Sequence, residues 1–96
     1  MNVGALMVKL RLPENQSLKG KRQVIKSITS RVRSKFNVSI AEVDDQELWQ
    51  LATLGVACVS NSNQRAQDTL TQVVNFIAWS RFEAEILDYK IEIIPV

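Results

Sequence analysis

The chain has 96 residues, 46% of them hydrophobic and 23% charged, with a formal net charge of +2. That length supports one hydrophobic core and no second one, and the composition excludes intrinsic disorder. One cysteine and no histidine exclude an internal disulfide and a cysteine-rich zinc site, and remove the commonest general base and metal ligand.

Residues 2–12 alternate, with Gly4, Leu6, Val8, Leu10 and Leu12 on an apolar face and Val3, Ala5, Met7, Lys9 and Arg11 on a mixed one. This predicts a strand with one face on a core. Pro13 to Gln16 breaks it, and Ser17 is placed to cap a helix running to about Phe36, its side-chain oxygen accepting from a free amide of the first turn. Leu18, Ile25, Ile28, Val32 and Phe36 recur at helical spacing as the buried stripe. Asn37 is the expected left-handed stop.

Val38 to Val43 reads as a second strand, Asp44 to Glu47 as an acidic turn, and Leu51 to Val59 as a nearly apolar central strand. The run Ser60-Asn61-Ser62-Asn63 offers caps for a second helix, in which Ala66, Leu70, Val73, Val74 and Ile77 keep the 3.6-residue period. Glu85 to Ile94 alternates again, with Leu87, Tyr89, Ile91 and Ile93 together. Val3, Ala5, Met7 and Ile86 are then expected on the sheet face that the helices leave uncovered. No apolar run reaches the roughly 18 residues of a membrane span, and no signal-peptide pattern opens the chain. The expectation is a single cytoplasmic domain, residues 1–96.

Strand, helix, strand, strand, helix, strand is the order of two interleaved split β-α-β units. It predicts an α+β fold, the ferredoxin-like βαββαβ sandwich, with a four-stranded antiparallel sheet in the order 4-1-3-2 and two helices on one face. Function does not follow from this architecture, which hosts many unrelated activities.

Charge is distributed unevenly. Between Lys19 and Lys35 lie seven basic residues and no acidic one, leaving five basic against ten acidic residues elsewhere. Several strings also carry a resemblance: Ser17-Leu18-Lys19-Gly20-Lys21-Arg22, the run Lys35 to Asp44, Leu48-Trp49-Gln50, Leu54 to Ala57, and Asp88-Tyr89. Over essentially its whole length the chain resembles the YlxP-like family of small bacterial proteins of uncharacterised function. The resemblance implies the ferredoxin-like fold and, from gene neighbourhoods rich in translation-initiation and ribosome-maturation factors, work near RNA or the ribosome. It brings no catalytic residues. An acidic residue often follows Ser-Leu-Lys in the family; Gly20 stands there in this chain, so the usual reciprocal capping carboxylate is missing.

At about 100° per residue, Lys19, Arg22, Lys26 and Arg33 fall within an arc of about 60° beside the apolar stripe. Four cations along about 20 Å of helix can follow a row of phosphates. Lys21 and Lys35 are expected at the flanks of this crest, and the helix start, with Ser17, Lys19 and Gly20, could hold one phosphate more. The alternative is a solvated face whose long stems cover the edge of the core. No carboxylate stands at i±3 or i±4 within the segment, unlike the interleaved signs of a helix built for solubility.

The central strands carry no aromatic residue, so contacts with RNA phosphates and shape are expected rather than bases stacked on the sheet. The nucleic-acid-binding set is therefore Lys19, Lys21, Arg22, Lys26, Arg33 and Lys35, with RNA or a ribosomal subunit as partner. The competing reading is a homodimeric ligand-sensing or protein-interaction module, packed through the uncovered sheet face or edge strands.

Asp44, Asp45 and Glu47 lack the ligand spacing of a Mg²⁺ or Ca²⁺ loop and read as a solvated turn. Trp49 is expected to close the end of the core, Trp79 and Phe82 to pack into it, and Cys58 to be an inert buried thiol. Without a phosphate loop or a nucleophile–histidine pair, no enzyme, metal or cofactor is expected.

Overall fold

A computed structural model describes residues 1–96. The alternation of the first segment makes β1 (Asn2–Arg11), whose inward residues Leu6, Val8 and Leu10 are buried. It pairs antiparallel with β3 (Leu51–Ser60) on one side and with β4 (Glu85–Pro95) on the other, and β2 (Ser39–Asp44) adds antiparallel to β3. The sheet order is β2-β3-β1-β4, which is 4-1-3-2 read from the opposite edge. Pro95 is tolerated because β4 is an edge strand, where no ladder donor is required.

The two helices, α1 (Leu18–Lys35) and α2 (Asn63–Trp79), cover one face of the sheet. Their apolar stripes close a core of 17 residues that includes Ile25, Ile28 and Val32 from α1 and Leu70, Val73 and Ile77 from α2. α1 packs over β2, whereas α2 packs over β1, β3 and β4. One row of α1 therefore borders the β2 edge, while the opposite row faces the groove towards α2. No helix is long and apolar enough to cross a membrane.

Three local expectations are corrected. Asn37 does not stop α1 in a left-handed conformation: the only positive φ at a non-glycine residue is Asp45, at 62°. The helix ends instead on Phe36, extended at φ −126°, with its amide still bonded to Val32. The Phe36 ring packs against the core, so the chain is anchored there and bends through Phe36 and Asn37 into β2.

In β4 the register slips between Lys9 and Leu10 of the partner strand, so that Lys9 faces Asp88 and Leu10 faces Ile86. This bulge reverses the side-chain parity. Ile86 is turned onto the core, while Leu87, expected beside Ile91 and Ile93, is the bulged residue and is exposed. Val3, Ala5 and Met7 do stand on the uncovered face.

Gly4 is enclosed by the core: a methyl group there would come within 2.9 Å of both Cys58 Sγ and Leu70 Cδ1. Burial pushes the Cys58 thiol above its ordinary value of 9.0, partly offset by a hydrogen bond with the Gly4 backbone. Cys58 is thus an unreactive packing group at neutral pH.

Candidate functional site

Helix α1 begins where Ser17 Oγ accepts from the Gly20 amide at 2.9 Å. The Asn15 carboxamide lies over the same turn. Its Nδ2 donates to the carbonyls of Ser17 at 2.7 Å and Trp49 at 2.6 Å, so it ties the helix start to the β2–β3 connection. A methyl group at Gly20 would overlap the Asn15 carboxamide oxygen. Only a residue without a Cβ fits beneath the Asn15 carboxamide as it is placed here. Gly20→Ala should therefore destabilise the protein by about 1–2 kcal/mol, against the roughly 1 kcal/mol that alanine normally gains inside a helix. Urea denaturation measures this, and a more stable variant would contradict the packing argument.

Lys19, Arg22, Lys26 and Arg33 are all exposed on α1. The protein's three ion pairs are Lys9–Asp45 at 3.9 Å, Arg11–Glu85 at 2.6 Å and Lys21–Glu42 at 2.8 Å. None of the four crest cations belongs to them. Arg33 is steadied by Nη2 donating to the Ile40 carbonyl at 2.9 Å, a neutral anchor on the β2 edge that leaves its charge intact. Exposed cations without carboxylate partners keep their full attraction for a polyanion.

Lys21 does not belong with them. Its side chain is only 1% exposed, and its ammonium donates to the carbonyls of Asp45 at 2.6 Å and Leu48 at 2.7 Å. Glu42 Oε2 is buried, with that ammonium as its sole polar partner, out of line for a hydrogen bond. All of the positive charge of Lys21 is thereby engaged inside the protein. Its angular position, between those of Ile25, Ile28 and Val32, is the sequence signal for this: it falls in mid-stripe. Lys35 is displaced too. It lies about 160° around the helix from Arg33, with Nζ 5.4 Å from the Phe76 ring centroid. Arg31, outside the expected set, shares that flank, its guanidinium carbon 4.9 Å from the Phe82 centroid and 5.6 Å from that of Phe76.

The acidic turn is engaged as well. Asp45 Oδ2 accepts from Thr53 Oγ1 at 2.7 Å and lies near Lys9, while Asp44 Oδ1 accepts from the Asp45 amide. Gln50 Nε2 reaches the carbonyls of Pro13 and Asn15. Lys21, Asn15 and Gln50 together fix this connection, yet Trp49 beside it is 55% exposed. It does not close the core: its carbonyl accepts from Asn15 while the indole stays outside. Trp79 is also outside, 82% exposed, whereas Phe82 packs on the core.

On the uncovered sheet face a shallow depression of about 520 Å³ is floored by Ala5, Ala41, Gly55 and Ala57 and bordered by Met7 and Val43. It bears no aromatic platform on β1 or β3.

A family model described as "Protein of unknown function (DUF503)" matches residues 3–91. Among curated proteins, the Uncharacterized protein YlxP of Bacillus subtilis (strain 168) is 48% identical over 61 residues, which make up 64% of this chain and 66% of that protein. The aligned stretch thus spans just under two-thirds of that relative's length. Among solved structures, the de novo designed protein Foldit4 superposes with a TM-score of 0.55 at 10% identity, covering 100% of this chain and 99% of that one. This is a likeness of fold alone. The de novo designed protein Ferredog-Diesel has a TM-score of 0.46 at 7% identity, with 94% and 83% covered.

Proposed function

This chain belongs to the DUF503 family of proteins of unknown function, the YlxP-like proteins, and on that premise we propose that it is a non-catalytic RNA-binding domain that docks phosphates along α1. One observation carries the reading: Lys19, Arg22, Lys26 and Arg33 line one side of the helix, exposed, and take part in none of the protein's ion pairs. Four such charges over about 20 Å suit the phosphate backbone of folded RNA, such as that of a ribosomal subunit. Recognition would then be of backbone and shape, since the central strands offer no stacking residue.

The test is a titration of a structured ribosomal RNA fragment between about 50 and 200 mM salt, where four released counterions give a log–log slope of about −3 to −4. Co-sedimentation with ribosomal particles should fall in parallel. Absence of binding at the low-salt end would remove the reading. The exposed Met7, Val43 and Val59 of the sheet face favour a second reading, self-association through that face, which is compatible with outward-facing helices. Sedimentation velocity of the free protein decides it: a dimer broken by Met7→Lys supports it, and a monomer at every concentration removes it.

A further inference from the structure

Phe36, Phe76 and Phe82 form an edge-to-face ladder along the groove between α1 and α2, with centroid separations of 5.7 and 6.1 Å. Arg31 and Lys35, one helical turn apart on α1, lie over its rings. Trp79, the last residue of α2, stands at the open end. It shares a cleft of about 390 Å³ with Lys35, Phe36, Gln72, Asn75, Phe76 and Ser80.

We propose that this cleft is a binding site for one unpaired nucleobase of RNA, with the Trp79 indole stacking on the base and the Lys35 ammonium meeting an adjoining phosphate. The inference rests on the RNA-binding reading and adds the kind of RNA recognised, one carrying a bulged or single-stranded nucleotide.

The way the cations are held is the first support. An ammonium or guanidinium positioned over a ring is ordered by the ring quadrupole, which, unlike a carboxylate, leaves its charge available to an anion. Neither Arg31 nor Lys35 takes part in an ion pair. The second support is the exposed indole itself. A tryptophan that is 82% exposed at a helix terminus contributes almost nothing to the core, while a flat ring beside a cation is the pairing that holds single-stranded nucleic acid. Third, Gln72, Asn75 and Ser80 border the cleft with side chains that supply donors and acceptors for a base edge.

Charge selects the occupant. Arg31, Lys35 and nearby Arg81 surround the groove, and Glu83, which shares its far end with Arg31 and Arg81, is the one carboxylate there. A basic peptide is thereby disfavoured. Lys35 and Arg33 stand on opposite flanks of α1, so an RNA bound to the crest would cross the helix end to place a nucleotide on Trp79.

Trp49 and Trp79 are the two tryptophans of the chain, so in a Trp49→Phe background the emission reports Trp79 alone. The probes are a fully paired RNA duplex, the same duplex with one bulged nucleotide, and poly-glutamate. The bulged duplex should quench Trp79 emission. Trp79→Ala should weaken its binding by about 5- to 100-fold while Trp79→Phe retains most of it, because stacking on any aromatic face is tolerated. Binding of the paired duplex should be unchanged in both variants, and thermal melting checks that each is folded. Equal affinity of Trp79→Ala and the parent for the bulged duplex, or quenching by poly-glutamate as strong as by RNA, overturns the base site and leaves crest binding standing. Failure of the parent to bind either duplex overturns the RNA-binding reading, and the base site with it.

Discussion

Replacing Lys19, Arg22, Lys26 and Arg33 together by Glu is expected to weaken RNA binding by more than about 100-fold at low salt. Four phosphate contacts correspond to a salt slope of about −3.6, so counterion release alone accounts for about a 100-fold change across the 50–200 mM range. Reversal removes that contribution and adds repulsion. The effect should be specific to the crest. Reversing an equal number of cations elsewhere, at Lys9, Arg11, Arg65 and Lys90, gives the control, since Lys9 and Arg11 already face carboxylates. Because Arg33 also anchors to the Ile40 carbonyl, a triple variant that leaves Arg33 intact separates loss of charge from loss of that contact. It should retain most of the defect. Equal affinities for the crest and control variants in RNA titrations would show that the attraction comes from overall charge and not from this helix.

Lys21→Met should have the largest effect on stability, about 3–5 kcal/mol, because it leaves the Glu42 carboxylate without its cation and the Asp45 and Leu48 carbonyls without their donor. For a domain of this size that is a fall in melting temperature of about 15 °C or more. Methionine keeps most of the buried stem, so the loss is assigned to the ammonium rather than to a cavity. A double variant, Lys21→Met with Glu42→Leu, should recover part of it, since an apolar pair replaces an unpaired charge. A melting temperature within a few degrees of the parent for Lys21→Met would mean that water satisfies the site. At a temperature where both proteins are folded, Lys21→Met should bind RNA within about twofold of the parent, since a buried ammonium touches no phosphate. That result distinguishes Lys21 from its exposed neighbours, with which its sequence position groups it.

The legible and illegible parts of the fold divide by range of interaction. The alternation of Leu6, Val8 and Leu10 and the spacing of Ala66, Leu70, Val73 and Ile77 are short-range patterns, and each becomes the buried face it predicts. Ser17 caps α1 as expected because the cap is local. Ile86 defeats the alternation because a bulge against β1 shifts its parity, and the strand's own residues contain no mark of it. Asn37 is turn-prone by type, yet Phe36 decides how α1 ends, since its ring is anchored against residues about forty positions away.

The candidate site divides in the same way. Local sequence determined that α1 is amphipathic, that it carries seven cations without an acid, and that four of them fall in one row. Only tertiary contacts decided which of the seven are free. Lys21 is removed by carbonyls 24 and 27 residues downstream, whereas Arg31 and Lys35 are positioned over rings on and after α2 with their charge still available. Whether Trp49 and Trp79 are core or surface likewise depended on where the loop anchors and the end of α2 lie. Period and charge are properties of neighbouring residues. Burial and neutralisation belong to pairs brought together by the chain's return, so they exist only once the sheet has closed.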